Sequence, residues 1–283
     1  MKAEEERPIV ALMYDFDKTL CTKDMQEYGF IPALGMSPAE FWEESNVLCK
    51  RTGMDPILAY MYLMKRKAAE RGTRFTREEL MKTGSSLELF PGVDTWFKRV
   101  NRIGEEAGVR IEHYIISSGL TEIIEGSSIY PEFKKVYACS FYYDENSVPC
   151  WPKNVVNYTT KTQFLFRINK GVLDISEDAA LNIYIPEEVR RVPFTNMLYI
   201  GDGLTDVPCM KLVKQKGGYS VAVYQQKEKV QGLVADNRVD FVFPADYSEG
   251  SEIELTVRDI IVKMAKESIL RDRGNEQKAE MKK

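Results

Sequence analysis

The chain has 283 residues, of which 44% are hydrophobic and 29% charged, as in soluble globular proteins that bury a sizeable core in one large or two smaller domains. Its 39 basic and 43 acidic residues give a formal net charge of −4, which provides no electrostatic reason to expect nucleic acid as a partner. No apolar run approaches the roughly 18 residues that a membrane span needs, and the charged start does not resemble a signal peptide, so we expect no membrane partner and a cytoplasmic location.

The first predicted strand runs directly into two aspartates. Ile9 to Tyr14 is an apolar run ending in a tyrosine, and Asp15 and Asp17 follow it, one residue apart. Such a run suits a strand buried on both faces of a parallel sheet, and ligands bind at the carboxyl ends of such strands. Two crowded carboxylates repel each other unless a cation or a proton intervenes, which points to a metal. The alternative is an ordinary polar turn after the strand.

The pattern changes from strand to helix over residues 22–87. Ser37 followed by Pro38 and Glu40 is a typical helix start, with a serine N-cap, proline at the first helical position and glutamate at the third. Asp55 marks the start of a second helix and Thr76 that of a third. We therefore predict a small all-helical insert.

The rest of the chain alternates strands with helices. Strands are predicted at 109–116, 136–140, 197–200, 219–223 and 240–243. Helices are predicted from 93 through 103 and at 121–126, 163–169, 207–213 and 253–264, with a hairpin at 141–149 and a frayed end at 271–283. This alternation predicts an α/β fold with a parallel sheet and right-handed crossovers.

Cysteine and histidine are poorly placed to carry chemistry. The five cysteines are scattered without a Cys-x-x-Cys pair, and the single histidine, His113, lies in an apolar run. A zinc site usually needs about four such ligands at characteristic spacing, so none is predicted. Cys139 and Cys150 could pair across the hairpin, but free thiols are expected in the cytosol. Carboxylates must therefore perform any acid–base step.

Distinctive polar residues stand at four places beside the predicted elements. They are Asp15 with Asp17, Ser117 with Ser118, Lys161, and Asp202 with Asp206. Because the carboxyl ends of parallel strands lie along one edge of a sheet, we expect these side chains to share one site. Each has a simpler reading as a helix cap or a turn residue. Lys170 is the rival of Lys161, but it lies at a helix end beside glycine, where lysine is common.

Taken together, these residues resemble the four motifs of the haloacid dehalogenase superfamily, in its phosphatase branch. The motifs are Asp15-Phe16-Asp17-Lys18-Thr19, Ser117-Ser118-Gly119, a lysine at a helix start, and Gly201-Asp202-Gly203-Leu204-Thr205-Asp206. The resemblance covers about residues 1–21 and 88–250, and it implies a Rossmann-like parallel core formed by 1–21 and 88–283. Residues 22–87 fall where this superfamily inserts a C1-type cap, and they resemble the small helical cap domain of phosphoserine-phosphatase-like members.

The resemblance implies a magnesium-dependent phosphatase that hydrolyses phosphomonoesters through an aspartyl-phosphate intermediate. Asp15 would be the nucleophile, which divides one difficult displacement into two easier ones. Asp17 would protonate the leaving alcohol and then deprotonate the attacking water. Dehalogenases of the superfamily lack an aspartate at the position of Asp17, so its presence favours phosphate esters.

The same resemblance assigns the groups that bind metal and phosphate. Mg²⁺ would be held by the carboxylates of Asp15 and Asp202 and by the main-chain carbonyl of Asp17, with Asp206 orienting the metal or its waters. The phosphate oxygens would be held by Ser117, with Ser118 as the competing position, and by Lys161.

The substrate is less well defined than the reaction, and a small phosphorylated metabolite is the expectation. Lys18 stands where phosphoserine phosphatases usually have serine, which argues against phosphoserine itself. Lys23, Asp24, Glu27 and Tyr28 could face the leaving group, or they could form a solvated helix face. A phosphotransferase or phosphomutase on the same fold is one alternative, and a non-catalytic phosphate-binding relative is another. The sequence does not predict the oligomeric state.

Overall fold

A computed structural model describes residues 7–281 of the chain. These residues fold around a seven-stranded sheet in the order β4-β3-β2-β1-β5-β6-β7. The strands are β1 (Ile9–Tyr14), β2 (Arg110–Leu120), β3 (Lys135–Tyr143), β4 (Pro149–Asn154), β5 (Met197–Gly201), β6 (Tyr219–Tyr224) and β7 (Phe241–Pro244). All neighbouring strands are parallel except β3 and β4, which form an antiparallel hairpin. The predicted parallel α/β sheet and its hairpin are confirmed.

Helices connect the parallel strands, whereas β3 and β4 are joined by the hairpin turn. The helices are α1 (Phe30–Ala33), α2 (Pro38–Thr52), α3 (Pro56–Arg71), α4 (Arg77–Gly84), α5 (Val93–Ala107), α6 (Thr121–Glu125), α7 (Lys161–Lys170), α8 (Asp178–Asn182), α9 (Val207–Gln215), α10 (Gln231–Ala235) and α11 (Glu252–Glu280). Short 3-10 helices occur at Met25–Tyr28, Tyr130–Glu132, Glu187–Val189, Phe194–Asn196, Leu204–Asp206 and Lys227–Lys229. Within residues 7–281, no helix is both long enough and apolar enough to cross a membrane.

The strand order fixes where a ligand can bind. Without the hairpin strand β4, the six parallel strands have the order of a doubly wound sheet, which reverses direction between β1 and β5. Strand β1 pairs with β2 on one side and with β5 on the other, and all six of its side chains are buried. Its continuous apolar run is therefore the consequence of a central position. The crevice at such a reversal lies beyond the carboxyl ends of the strands, immediately after Tyr14 and Gly201.

His113 is a core residue, as its apolar context predicts. One of its ring nitrogens lies 3.0 Å from the Tyr14 hydroxyl, and the other lies 3.1 Å from Oδ1 of Asn101. Trp96 Nε1 donates to the Tyr14 hydroxyl at 3.0 Å. Burial lowers the pKa of His113 to about 3, so the ring is neutral at physiological pH and its bonds hold β1, β2 and α5 together.

Residues 22–87 contain helices α1 to α4, which confirms the predicted helical character of this stretch. The predicted cap of α2 is present, because Oγ of Ser37 accepts from the Glu40 amide at 3.2 Å and Oε2 of Glu40 accepts from the Ser37 amide at 2.8 Å. Asp55 caps α3 by accepting from the Ile57 amide at 2.8 Å. Helix α2 packs on α3, and α4 packs on α6 of the core.

Several boundaries differ from the predictions. Strand β2 continues to Leu120 instead of ending before a turn at Ser117, and its pairing with β3 shifts register between Ile116 and Leu120. Helix α7 begins at Lys161 rather than 163. The predicted frayed end is wrong for 271–280, because α11 extends to Glu280. Charge there reduces burial without reducing helix propensity, since arginine, glutamate, glutamine and lysine are good helix formers.

Two further expectations concern the cysteines and the chain ends. All five cysteines, including Cys139 and Cys150, are free thiols. Residues 1–6, part of the start predicted to carry no signal peptide, and residues 282–283, the end of the stretch predicted to fray, lie outside the described residues.

The contact between α4 and α6 is close enough to require glycine. A Cβ atom on Gly84 would lie 2.1 Å from the carbonyl oxygen of Ile123 and 2.7 Å from Gly126. We expect Gly84→Ala to lower the free energy of unfolding by about 2 kcal/mol, because the clash is with backbone that cannot move aside cheaply. Urea unfolding measures this, with Gly232→Ala as the control because nothing lies within 4 Å of a Cβ there. Equal stability of Gly84→Ala and the unmodified protein would contradict the packing described.

Candidate active site

The predicted site residues come together at the carboxyl ends of β1, β2 and β5. A cavity of about 560 Å³ opens there, and its lining includes Asp15, Asp17, Ser117, Ser118 and Asp202. Lys161 and Asp206 are fully buried, and Nζ of Lys161 contacts the carboxylates of both Asp15 and Asp206. Residues from four separate parts of the sequence thus form one site, as the strand-end argument predicts.

Asp15 is held at the centre of this site by the backbone and by Lys161. Its amide donates to the Ile200 carbonyl at 2.9 Å, which continues the pairing of β1 with β5. Its Oδ1 lies 2.9 Å from Nζ of Lys161. Burial, followed by the charge of Asp206, raises the pKa of Asp15 to about 6 even though Lys161 opposes the shift. The carboxyl group is therefore held in a fixed position. It is mostly buried, and Asp15 lines the cavity.

Lys161, not Lys170, lies among the carboxylates of the cluster. Lys161 begins α7, and its Nζ lies 2.9 Å from Asp15 and 2.8 Å from Oδ1 of Asp206. Burial alone would lower the pKa of Lys161, but the two carboxylates raise it above its usual value, so the ammonium stays charged. Lys170 instead donates to the carbonyls of Leu181 and Ile183. It takes no part in the cluster.

Asp206 is locked in place on both oxygens. Oδ1 accepts from Lys161 and, at 2.7 Å, from the hydroxyl of Tyr199, while Oδ2 accepts from the Gly203 amide at 3.4 Å. A Cβ on Gly201 would lie 2.5 Å from Cγ of Asp206, so only glycine fits at the end of β5. Tyr199 was not predicted as a site residue, because a tyrosine inside an apolar strand has the pattern of a core residue.

Three carboxylates lie close together, and two of them, those of Asp15 and Asp206, pair with the Lys161 ammonium. One oxygen from each of Asp15, Asp202 and Asp206 lies within 4.8 Å of the others. Burial, followed by the charges of Asp15 and Asp206, raises the pKa of Asp202 to about 8. The Asp202 carboxylate forms no hydrogen bond or ion pair with any of residues 7–281. An all-oxygen donor set with unbalanced negative charge suits a hard divalent cation such as Mg²⁺.

Asp17 occupies a different environment from Asp15. Its Oδ1 accepts from the Met25 amide at 2.8 Å, and its Oδ2 would lie 2.9 Å from a Cβ on Gly119. Burial, followed by the charges of Asp24 and Asp15, raises the pKa of Asp17 well above its usual value. Asp17 has no ion pair with Lys161, so two carboxyl groups one residue apart differ in what stabilises their charge.

Ser117 and Ser118 lie near the end of β2, and both residues line the cavity. Oγ of Ser117 accepts from the Gly119 amide at 3.0 Å, which leaves its own proton available for a ligand. Oγ of Ser118 is buried and has no partner among the described residues. The Ser118 carbonyl accepts from the hydroxyl of Tyr60 in α3 at 2.8 Å. Tyr60, another residue not predicted from the sequence, thus joins the helical segment to the site.

Of the four residues that could face a leaving group, the cavity lining includes only Asp24. Lys23 places its Nζ 5.4 Å from the centre of the Tyr28 ring, and the Tyr28 hydroxyl bonds to Oγ1 of Thr22 at 2.7 Å. Oε1 of Glu27 accepts from Trp42 at 2.9 Å. Three of the four are therefore engaged with other groups of the loop and the helices that follow it.

Solved structures similar to this chain share its fold. A phosphoserine phosphatase in its apo form matches with a TM-score of 0.56 and 13% identity, over 84% of this chain and 94% of that one. A phosphoserine phosphohydrolase-like protein from Francisella tularensis matches with a TM-score of 0.52 and 19% identity, over 83% and 94%. A haloacid dehalogenase family hydrolase from Salmonella enterica matches with a TM-score of 0.53 and 16% identity, over 86% and 69%.

The sequence of the chain also matches one further protein and the pattern of a protein family. An uncharacterized protein of Borreliella burgdorferi is 30% identical over 277 residues, which cover 88% of this chain and 95% of that protein. The sequence pattern of the haloacid dehalogenase-like hydrolases matches residues 12–211, a range that includes every residue of the site described above. The chain belongs to the haloacid dehalogenase-like hydrolase family.

Proposed function

We propose that the protein is a magnesium-dependent phosphatase that hydrolyses the phosphomonoester of a small metabolite through an aspartyl-phosphate intermediate. The observation that carries this proposal is the pairing of two unlike carboxyl groups in one cavity. Asp15 is fixed by Lys161, whereas Asp17 accepts from the Met25 amide and the Cys21 thiol, forms no ion pair with Lys161 and has a strongly raised pKa. One group is thereby suited to attack and the other to proton transfer. The phosphoserine phosphatases among the structures of the same fold support this choice.

The donor set fits magnesium, as the crowded carboxylates at the site indicate. The carboxylates of Asp15 and Asp202 and the main-chain carbonyl of Asp17 would hold the ion. Asp206 would orient it indirectly, since both of its oxygens already accept hydrogen bonds. When bound, the ion would neutralise charge on the phosphoryl oxygens and on the carboxylates.

In the first step, a carboxylate oxygen of Asp15 forms a bond to phosphorus while the bond from phosphorus to the leaving oxygen breaks. Asp17 donates its proton to that oxygen, and the alcohol departs. In the second step, Asp17 takes a proton from water as the water oxygen attacks phosphorus, which releases inorganic phosphate and restores the Asp15 carboxylate. Asp17 ends the cycle protonated, as it began.

Ser117 and Lys161 hold the phosphoryl oxygens during both steps in this proposal, and Ser118 supplies a further hydroxyl. The free proton of Ser117 provides a directed hydrogen bond, and the ammonium of Lys161 provides a point charge that the two flanking carboxylates keep in place. These groups act where charge develops, in a partly buried site where electrostatic interactions are stronger than in water.

We further propose that residues 22–87 form a cap domain on a core of 1–21 and 88–283. Tyr60 of α3 donates to the Ser118 carbonyl, and Nδ2 of Asn157 donates to the Asp55 carboxylate at 3.1 Å, so the helical segment is bonded to the strand end and to the loop before α7. A cap in this position excludes water from the phosphoryl transfer and limits the size of the substrate.

The test is hydrolysis of para-nitrophenyl phosphate by the intact protein, with added Mg²⁺ and with the metal removed by a chelator. The proposal predicts release that requires the metal and returns when Mg²⁺ is restored. Release that is unaffected by the chelator would contradict the magnesium requirement. Absence of release from this probe and from a panel of small alkyl phosphates would contradict the phosphatase.

Gly119 should be intolerant of any side chain. A Cβ there would lie 2.1 Å from Cε of Met25 and 2.9 Å from Oδ2 of Asp17. We expect Gly119→Ala to lower kcat by about 10²-fold, because a small displacement of a proton-transfer group has an effect of that order. Gly232→Ala is the control, since nothing lies within 4 Å of a Cβ on Gly232 and Gly232 does not line the cavity. Equal kcat values for the two variants would contradict the geometry assigned to Asp17.

A further inference from the structure

Lys18 adopts a backbone conformation that is unusual for lysine. Its φ angle is 57°, in the left-handed region that glycine populates easily and other residues avoid. The side chain, half-buried at the edge of the cavity, places Nζ 2.5 Å from Oδ2 of Asp24. A strained residue that persists beside a candidate active site needs surrounding contacts to hold it, and this ion pair is such a contact.

Asp24 connects that ion pair to Asp17. Asp24 directly precedes the 3-10 helix Met25–Tyr28, but its carboxylate makes no capping bond to that helix. The next residue, Met25, donates its amide to Oδ1 of Asp17 at 2.8 Å. On the other side, Sδ of the fully buried Met25 accepts from the Leu120 amide at 3.0 Å. The amide that holds Asp17 therefore lies between a buried anchor at Leu120 and an ion pair at Lys18.

We propose that Lys18 is a positioning residue for Asp17, which it controls through Asp24. By pairing with Asp24, Lys18 holds the Met25 amide against Oδ1 of Asp17 and leaves Oδ2, the oxygen beside Gly119, for proton transfer. This inference rests on the function proposed above. It differs from a role in substrate binding, in which the Lys18 ammonium would contact the phosphoryl group directly.

If Asp17 is held less firmly, the rates of hydrolysis of alkyl and nitrophenyl phosphates should change by different factors. Departure of an alkoxide from phosphorus requires protonation, whereas nitrophenolate is stable enough to leave with little help. Loss of the Lys18 ion pair should therefore slow alkyl phosphates much more than nitrophenyl phosphate. Loss of a substrate-binding lysine would instead affect both substrates alike, since both contain the same phosphoryl group.

The experiment compares kcat/KM for para-nitrophenyl phosphate and 2-phenylethyl phosphate in four variants. Lys18→Met and Asp24→Asn should each lower the alkyl value about 30-fold and the nitrophenyl value less than about threefold. Lys18→Arg should restore most of the alkyl activity because it can remake the ion pair. Lys23→Met is the matched control. Lys23 belongs to the same loop, but its ammonium lies over the Tyr28 ring and forms no ion pair with Asp24.

A second measurement does not depend on activity. Hydrogen exchange of the Met25 amide, followed by NMR, should be about tenfold faster in Lys18→Met than in the unmodified protein and unchanged in Lys23→Met. Equal losses on the two substrates, no loss on either, or unchanged Met25 exchange in Lys18→Met would each overturn the positioning role. Inactivity of the unmodified protein on both substrates would overturn the proposed phosphatase, and the exchange experiment would still decide whether Lys18 holds Met25.

Discussion

Replacing Asp15 by asparagine is expected to lower kcat for phosphate ester hydrolysis by at least about 10⁴-fold. An amide is almost the same size as a carboxylate, but it cannot attack phosphorus. The side-chain oxygen of asparagine can still accept a hydrogen bond from Lys161, which now lies 2.9 Å from Oδ1 of Asp15. The variant therefore separates loss of the nucleophile from loss of the fold. The measurement is kcat at saturating substrate and Mg²⁺.

Stability provides the control for this variant. Burial and the charge of Asp206 raise the pKa of Asp15 to about 6, so removal of the charge also relieves repulsion. We expect the free energy of unfolding to change by no more than about 1 kcal/mol. Activity within tenfold of the unmodified protein, in a preparation free of deamidated asparagine, would contradict the assignment of Asp15 as the nucleophile.

Replacing Lys161 by methionine is expected to impair both stability and activity. The fully buried ammonium pairs with Asp15 and Asp206, and its loss leaves two buried carboxylates without their cation. Breaking a buried pair from one side usually costs about 3 kcal/mol or more in the free energy of unfolding. The loss of a cation at the phosphoryl group should also lower kcat/KM by at least about 10³-fold. Urea unfolding and steady-state kinetics measure the two effects.

Two further variants test the cause of these losses. Adding Asp206→Asn to Lys161→Met should recover part of the lost stability, because it removes one of the unpaired charges, but it should recover no activity. Lys170→Met should retain the activity of the unmodified protein, because Lys170 donates to the carbonyls of Leu181 and Ile183, away from the cluster. A greater loss of activity in Lys170→Met than in Lys161→Met would contradict the assignment of the site lysine.

The sequence was most informative where a strand leads into polar residues. The run before Asp15 and the run before Gly201 are buried central strands, and topology alone brings their ends together. The choice between Lys161 and Lys170 could not be made that way. Both lie on one helix, α7, and only its packing decides which end points to the sheet.

Residues that combine apolar and polar character were missed for a different reason. Tyr60 and Tyr199 occur within apolar patterns, and their rings are buried as those patterns predict. Their hydroxyl groups nevertheless bond to the Ser118 carbonyl and to Asp206. Periodicity reports which face of an element is buried, not which atom at the end of a buried ring meets a polar partner.

The ion pair of Lys18 with Asp24 was also beyond the reach of pattern analysis. In the sequence, Lys18 is part of the first motif and departs from the serine of related motifs, and Asp24 is one of four residues that could face a leaving group. Their contact depends on the left-handed backbone at Lys18, which places the side chain back over the loop. A lysine gives no sequence signal for that conformation, in contrast to glycine or asparagine.

If Asp15 is the nucleophile, it carries a phosphoryl group during turnover, and mass spectrometry of the acid-quenched protein detects that group. The protein is mixed with para-nitrophenyl phosphate and Mg²⁺, quenched in acid within the first turnover and digested. We expect one added phosphoryl group on the peptide that contains Asp15, and none in the Asp15→Asn variant. Turnover of the substrate with no phosphorylated peptide at any quench time, or with the phosphoryl group on another residue, would contradict the role of Asp15 as the nucleophile.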